Sequence, residues 1–332
     1  MQSHMEEIQQ LPECLAGKIG ALTDLLDDSK ATNTVLKYSR GFMKWKRWAL
    51  AHDISNRDIL PAKALHVALY LTGIIQDANS PSPVISAFYS IKWAHDMADL
   101  SSPTNSSIVK NMLESGKRKL AKPVGKKEPI TVEHLTKMYY SLHSADNLYN
   151  QRTICACLLG FAGFLRSNEL LNLRRSDFQI LTTHMSIFIQ KSKADIYRDG
   201  SWVQVARTLT DLCPVKITEK YFTLAGFDVD SDEFIFRKLS KCKNGYHFRC
   251  NKPLSYTRMR ELFIEAFKPF VDDISSYGLH SLRSGGATAC ANLGINDRLF
   301  KRHGRWKSEF AKDGYIKDNL SERLIVSQNL GI

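Results

Sequence analysis

The sequence contains no long apolar run, no internal repeat and no low-complexity tract. Because a membrane-spanning helix needs a run of about 18 apolar residues, we expect no transmembrane segment. The acidic, polar beginning MQSHMEEIQQLPE does not resemble a secretory signal. The seven cysteines are odd in number and irregularly spaced, which favours reduced thiols in an intracellular protein.

Acidic residues are also in deficit. The 332-residue chain has 34 Asp and Glu against 46 Lys and Arg, which gives a formal net charge of +12. With 43% hydrophobic residues the chain can build a sizeable core, so wholesale disorder is not expected. The charge favours a polyanionic partner, nucleic acid or an acidic membrane surface, and solubility alone is the alternative.

Candidate metal ligands are few. Cys242, His247 and Cys250 lie close together, but a fourth ligand is not evident and the spacing fits no zinc pattern well. We therefore interpret them as solvated loop residues and predict no metal and no cofactor.

The first third of the chain predicts a small helical bundle. Four helical patterns follow one another at 32–53, 61–78, 82–100 and 105–122. In the first pattern apolar residues recur every three or four positions, and Lys44, Lys46 and Arg47 lie beside that stripe. These basic residues are a candidate DNA-binding face, and the alternative is the solvated side of an amphipathic helix.

A basic segment with Pro and Gly follows, GKRKLAKPVGKKEPIT. We interpret residues 117–130 as a linker between a helical domain at 28–116 and a second domain at 131–332, with 1–27 as an N-terminal segment. Lys117, Arg118 and Lys119 can lie along DNA phosphates or serve as a nuclear localisation signal. A simple solvated linker is the alternative.

The second domain predicts helices and a small β-sheet. Thr131 is a predicted helix N-cap, and 151–174 is a long apolar helix pattern with a polar break at Arg166. Alternating residues at 184–192 and 201–207 flank a turn and predict a β-hairpin, and the remainder is mostly helical. The fold class is therefore mainly α with a small β-sheet.

Several polar residues have the types that phosphodiester cleavage requires. Arg166 and Glu169 are three residues apart on a helix, as are His280 and Arg283, so each pair shares a helix face. Lys193 lies at the start of the hairpin turn, from which a flexible Lys can reach a site and donate a proton. Each signal is weak alone, because surface ion pairs, chance His–x–x–Arg pairs and solvated Lys residues are common.

The stretch HGRWKSEFAKDGYI adds Trp306 and Tyr315. Two Arg can grip the nonbridging oxygens of a phosphodiester while Tyr315 attacks the phosphorus and forms a covalent phosphotyrosine. Lys193 can protonate the departing 5′ oxygen, and Trp306 can pack against the site and donate its indole N–H to a phosphate oxygen. Gly285 and Gly286 allow close helix packing or close backbone approach to a ligand.

This ordered set resembles the motifs of the tyrosine recombinases, also called phage integrase-type recombinases. LRSNELLNLR is similar to the family's first Arg motif, KSKADIYRDGSWVQV to its catalytic-Lys hairpin, LHSLRSGGAT to its His–x–x–Arg motif, and GRWKSEFAKDGYI to its last box. Trp306 stands where most bacterial members have His. The resemblance implies a catalytic set of Arg166, Lys193, His280, Arg283, Trp306 and the nucleophile Tyr315, with Glu169 supporting and Lys191 as the rival to Lys193.

The resemblance also implies a helical core-binding domain and an α+β catalytic domain that clamp double-stranded DNA as a homotetramer on paired sites. It implies a 3′-phosphotyrosyl intermediate, no nucleotide cofactor and no membrane partner. The last box and the first domain look most like recombinases of eukaryotic mobile elements, such as DIRS-like retrotransposons or Crypton-type transposons, which implies a nuclear protein. Two alternatives stay open: a domesticated DNA-binding protein of this fold that no longer cuts, and a type IB topoisomerase.

Overall fold

The computed structural model describes residues 5–28, 32–123, 125–143, 147–192, 199–243, 245–318 and 320–331. The chain divides into two compact units, Met1–Val124 and Gly125–Ile332. The division lies inside the predicted linker, 117–130.

The first unit is helical where it is described. Its helices are α1 (Met5–Gln9), α2 (Glu13–Ala16), α3 (Ile19–Asp28), α4 (Thr32–Ala51), α5 (Ala64–Asp77), α6 (Ser82–Met97) and α7 (Ser107–Lys119), with 3-10 turns at Asn56–Asp58 and Pro103–Asn105. Helices α4 to α7 correspond to the four predicted patterns, with ends that differ by a few residues.

The apolar stripe of α4 packs into the core of this unit. Trp45 is fully buried, and its indole N–H donates to the carbonyl of Ile59 at 3.2 Å. Lys44 and Arg47 are exposed and Lys46 is half-buried, so basic side chains border the packed stripe. This arrangement follows from the 3.6-residue period of the sequence pattern. The DNA-binding role of the three residues stays a prediction.

Helix α7 extends into the predicted linker. Lys117, Arg118 and Lys119 form its last turn, where cations compensate the negative end of the helix dipole. The linker prediction was therefore wrong for these three residues, because the first helix-breaking proline, Pro123, comes only after them. Lys117 pairs with Glu114 at 2.7 Å.

The second unit combines helices with two small antiparallel sheets. Its elements are α8 (Val132–Leu142), α9 (Leu148–Ala162), α10 (Ser167–Leu171), β1 (Phe178–Ile180), β2 (His184–Ile189), β3 (Ser201–Ala206), α11 (Pro214–Ala225), β4 (Arg237–Cys242), β5 (Gly245–Pro253), α12 (Tyr256–Phe267), α13 (His280–Asn292), α14 (Asp297–Gly304), α15 (Glu309–Asp313) and α16 (Leu320–Gln328). Short 3-10 turns lie at Arg175–Asp177, Lys268–Phe270 and Ile274–Ser276. The predicted fold class is confirmed.

The first sheet has the order β1–β2–β3. Strands β2 and β3 pair antiparallel, with Ile187 opposite Val203 and Phe188 opposite Trp202, so the predicted hairpin is confirmed. Ile187 and Val203 are buried, whereas Trp202 on the other face is exposed. Strand β1 was not predicted.

A second hairpin, β4–β5, replaces the helix and loop expected there. Cys242, His247 and Cys250 lie on its strands, so their interpretation as loop residues was wrong. Most side chains of the two strands are partly or fully exposed, which leaves little apolar alternation to reveal them. Among the described residues no group of three or more His, Cys, Asp or Glu could hold a metal ion.

Helix α9 lies at the centre of the second unit, and α13 packs closely against its end. A Cβ added at Gly285 would lie 2.0 Å from the carbonyl oxygen of Ile130, and one at Gly286 would lie 2.2 Å from that of Phe161. The two glycines therefore serve close helix packing, the first of the two roles that the sequence suggested. This packing brings Arg283, two residues earlier, to the end of α9.

Candidate active site

The first component of the site is the break between α9 and α10. Phe164 has a left-handed backbone (φ 46°), and the chain turns there so that Arg166 becomes the N-cap residue of α10. Arg166 Nη1 donates to Glu169 Oε1 at 2.7 Å, and the Arg166 backbone N–H donates to Oε2 at 2.9 Å. The sequence predicted that Arg166 and Glu169 share a helix face, and in the structure the two side chains form an ion pair.

Arg283 comes from α13 and is fully buried. Its guanidinium donates to the carbonyl oxygens of Phe164 and Gly304, the latter at 2.6 Å. These carbonyls belong to two turns that are distant in sequence, so Arg283 ties the α9–α10 turn to the end of α14. His280 lies one turn earlier, at the exposed beginning of α13.

Trp306 and Tyr315 lie on either side of α15 and meet over Arg283. The guanidinium carbon of Arg283 is 4.7 Å from the Trp306 ring centroid and 4.8 Å from that of Tyr315. The two rings are 5.5 Å apart. Cation–π contacts of this kind favour both rings beside the cation. The nine-residue spacing is thus the length of chain that leaves Trp306, forms α15 and returns with Tyr315.

Trp306 is more enclosed than the sequence suggested. Only 5% of it is exposed, and it packs against Phe164 and Phe300. Its indole N–H is buried and has no hydrogen-bond partner in the described part of the chain. The packing role expected for Trp306 agrees with the structure, and donation to a phosphate oxygen stays a prediction.

Ion pairs hold α15 in place. Lys312 is 7% exposed, and its ammonium contacts Asp297 at the start of α14 and Glu309 on its own helix. Lys301 of α14 also pairs with Glu309. These charges lower the pKa of Glu309 to about 2, because Lys301 and Lys312 both donate to its carboxylate. The segment that ends at Tyr315 is therefore fastened to α14.

Sequence reasoning missed Arg305. Its Nη2 donates to Glu169 Oε2 at 2.7 Å and to the Phe164 carbonyl at 3.2 Å, and its Nη1 donates to the Gly163 carbonyl at 3.3 Å. Arg305 has a left-handed backbone (φ 56°, ψ 39°) directly after α14. Its position between Gly304 and Trp306 in the last box was the only available signal, and no helical period points to it.

Arg166, Arg283, Arg305 and Glu169 form what we call the arginine cluster. Three positive charges against one negative charge leave a formal charge of +2. Burial and the nearby Arg166 lower the pKa of Arg283 to about 10, which still leaves it protonated at neutral pH. Burial works to raise the pKa of Glu169, but Arg305 and Arg166 outweigh it and hold the pKa below its ordinary value. The cluster is suited to an anion.

The predicted general acid cannot be placed. Lys193 lies outside the described residues. Its rival Lys191 is exposed just after β2 and lines a polar cavity of about 350 Å³ whose walls include Glu169 and Asn168. Both assignments stay predictions, as does the role of His280.

Comparisons with known proteins bear on the family and the fold. No family model matches the chain. An integrase/recombinase xerD homolog of Selenomonas ruminantium is 25% identical over 313 residues, which cover 90% of this chain and 87% of the relative.

Solved structures show the same fold. A XerH site-specific recombinase bound to a palindromic difH substrate, in a post-cleavage complex, aligns with a TM-score of 0.61 and 13% identity over 98% of this chain and 87% of its own. A lambda integrase (75–356) dimer bound to a COC′ core site gives 0.55 and 15%, over 92% of this chain and 96% of its own. A lambda integrase tetramer bound to a Holliday junction gives 0.55 and 16%, over 92% and 77%.

The chain therefore has the fold of these solved recombinase and integrase structures. The relative from Selenomonas ruminantium, which matches along most of both chains, supports the tyrosine recombinase/integrase family. No helix in the described ranges is long and apolar enough to cross a membrane.

Proposed function

We propose that this protein is a site-specific tyrosine recombinase that cleaves and rejoins DNA strands through a 3′-phosphotyrosyl intermediate. One observation carries the proposal: the buried Arg283 guanidinium contacts the rings of both Tyr315 and Trp306 and belongs to the cationic cluster that contains Arg166. A phenol beside buried guanidinium groups suits nucleophilic attack on a phosphodiester.

In the proposed reaction the Tyr315 oxygen bonds to the scissile phosphorus and the bond from phosphorus to the 5′ oxygen breaks. Arg166 and Arg283 stabilise the charge on the nonbridging oxygens. Lys193 gives a proton to the departing 5′ oxygen, which leaves as a hydroxyl, and the tyrosine proton passes to a general base, for which His280 is the candidate. Attack by a 5′ hydroxyl on the phosphotyrosine reverses these steps and rejoins the strand. The energy of the broken bond is kept in the phosphotyrosine, so the reaction needs neither ATP nor a metal ion.

DNA is the proposed partner, in agreement with the net charge of +12. Phosphate contacts are assigned to six basic residues of the first unit, which lie at the surface of α4 and at the end of α7: Lys44, Lys46, Arg47, Lys117, Arg118 and Lys119. Because each neutralised phosphate releases counterions, binding should weaken steeply with salt.

A homotetramer on paired DNA sites is the proposed assembly. Helix α16 exposes Leu320, Leu324 and Ile325, and the second unit has an apolar groove of about 560 Å³ lined by Leu293 and Leu299 among others. Burial of α16 of one protomer in the groove of the next would remove both apolar surfaces from water. Replacing Leu324 and Ile325 with Glu should then leave DNA binding intact and reduce the mass of the complex in sedimentation.

The proposed origin is a mobile element of a eukaryote, and the proposed location is the nucleus. This proposal is supported by the sequence of the last box, GRWKSEFAKDGYI, which has Trp306 in place of His.

Covalent capture tests the function without knowledge of the target site. Fragmented genomic DNA that flanks the gene, nicked to trap cleaved strands, is incubated with protein in chelator, and protein-linked DNA is recovered under denaturing conditions and sequenced. We expect one recurring sequence linked to the wild type and none linked to Tyr315→Phe. Tyr256→Phe is the matched control, because Tyr256 is half exposed on α12 and belongs to no cluster described above.

Each other result points elsewhere. Salt-sensitive DNA binding with no covalent product would identify a non-cutting DNA-binding protein. Relaxation of supercoiled DNA by a monomer would identify a topoisomerase. A covalent product that persists in Tyr315→Phe would show that Tyr315 is not the nucleophile.

A further inference from the structure

Arg305 has contacts that suit positioning rather than chemistry. Its guanidinium reaches Glu169 and the carbonyls of Gly163 and Phe164, and its side chain is 9% exposed. We propose, on the basis of the function above, that Arg305 is a positioning residue: it holds Glu169 and the α9–α10 turn so that Arg166 is presented to the scissile phosphate.

The backbone at Arg305 supports this assignment. A left-handed conformation is strained for every residue that has a Cβ, and glycine adopts it without strain. The side chain must therefore compensate for the strain through its hydrogen bonds, whose four acceptors are Glu169 and the carbonyls of Gly163, Phe164 and His303. Phe164, one of those acceptors, is itself left-handed. Two strained turns are thus joined by one side chain.

The way in which Glu169 is shared explains how Arg305 acts on Arg166. The carboxylate is almost fully buried, with one oxygen facing Arg166 Nη1 and the other facing Arg305 Nη2, both at 2.7 Å. A buried carboxylate needs partners for both oxygens. Without Arg305, the second oxygen keeps only the Arg166 backbone N–H as a donor. It can then recruit the rest of the Arg166 guanidinium, which turns inward from the phosphate.

A change of substrate distinguishes positioning from folding. A methylphosphonate replaces one nonbridging oxygen of the scissile phosphate with a methyl group and so removes the negative charge that Arg166 neutralises. If a variant misplaces Arg166, its loss of cleavage rate relative to the wild type should be smaller on the methylphosphonate than on the phosphodiester. If the variant is only misfolded, the loss should be equal on both substrates. The DNA sequence recovered by covalent capture, prepared with either group, is the probe.

The variants are Arg305→Gln, Arg305→Gly and Arg305→Lys, with Arg166→Ala as the reference. We expect single-turnover cleavage of the phosphodiester to fall about 100-fold in Arg305→Gln and Arg305→Gly, and by less than about 10-fold on the methylphosphonate. Arg305→Lys keeps the charge without the planar fork and should recover part of the rate. Arg298→Gln is the matched control, since Arg298 is exposed on α14, the helix that ends just before Arg305.

DNA affinity and thermal unfolding are measured on the same samples. Equal losses of rate on the two substrates, or a wild-type rate in Arg305→Gln, would overturn the positioning role. The proposed function would still stand in that case if the wild type forms the Tyr315-linked product. If the wild type forms no covalent product on any DNA, the proposed function fails and the role of Arg305 fails with it.

Discussion

Replacement of Gly285 with Ala should destabilise the second unit and displace Arg283. The added Cβ would lie 2.0 Å from the carbonyl oxygen of Ile130, whereas real Cβ atoms essentially never come within 3.0 Å of another heavy atom. The Ile130 backbone N–H donates at 2.9 Å to the carbonyl oxygen of Ser281, which lies on α13 with Gly285. The segment at Ile130 and helix α13 are therefore tied together. Relief of the clash requires the two segments to separate by about 1 Å, which is the difference between the 2.0 Å contact and the 3.0 Å limit.

The size of the effect follows from the atoms involved. Overpacking costs about 1–3 kcal/mol, and a clash with backbone lies at the upper end because no side-chain rotation relieves it. The higher helix propensity of Ala offsets about 0.5–1 kcal/mol. We therefore expect a net loss of about 2 kcal/mol, which lowers the unfolding midpoint by about 4–8 °C in a domain of this size. A displacement of Arg283 by about 1 Å should slow cleavage about 100-fold.

Thermal unfolding and single-turnover formation of the covalent product measure the two effects. Gly278→Ala is the matched control, because a Cβ there meets nothing within 4 Å and Gly278 belongs to the same unit. If Gly285→Ala unfolds with the control and cleaves at the wild-type rate, close packing of α13 does not place Arg283 and the reasoning is refuted.

Three further changes test the surroundings of Tyr315. Trp306→Ala should lower the free energy of unfolding by about 3–5 kcal/mol in denaturant titration, because it leaves a cavity beside Arg283, and a smaller loss than in Trp306→Phe would contradict this. Lys312→Met removes the cation between Asp297 and Glu309, so the two carboxylates repel each other and α15 should shift with Tyr315. We therefore expect cleavage to slow about 10- to 100-fold with DNA affinity unchanged. Burial lowers the pKa of His303 from 6.5, so the stability linked to its neutral form is present above pH 6.5 and is lost below it. His303→Gln, which can still donate to the Ala162 carbonyl, should show less loss of stability between pH 7.5 and 5.5 than the wild type.

The sequence predicted those features that have a period or a short separation. The stripe that contains Trp45 recurs every three or four residues, and the fully buried Trp45 fits that pattern. Arg166 and Glu169 are three residues apart, were expected to lie close together, and form an ion pair. The spacing of Trp306 and Tyr315 pointed to one site, and their rings meet over Arg283.

Features that depend on tertiary contacts could not be predicted in this way. Arg305 reaches Glu169 across 136 positions of the chain, and its conformation depends on those contacts. The β4–β5 hairpin has few buried side chains, so its strands lack the alternation that revealed β2 and β3. His280 shares a helix with Arg283, but it lies at the exposed first turn while Arg283 points into the core.

The arginine cluster combines strained backbone with an excess of positive charge, and an anion would relieve the excess charge. Phe164 and Arg305 both adopt left-handed backbones, at about 1–2 kcal/mol each. Three buried or half-buried guanidinium groups face one carboxylate, and Arg283 Nε is a buried donor with no partner in the described ranges. Burial of such groups is unfavourable unless charge and hydrogen bonds are supplied. A phosphate oxygen would supply both, so the excess charge agrees with the proposal that DNA completes this site.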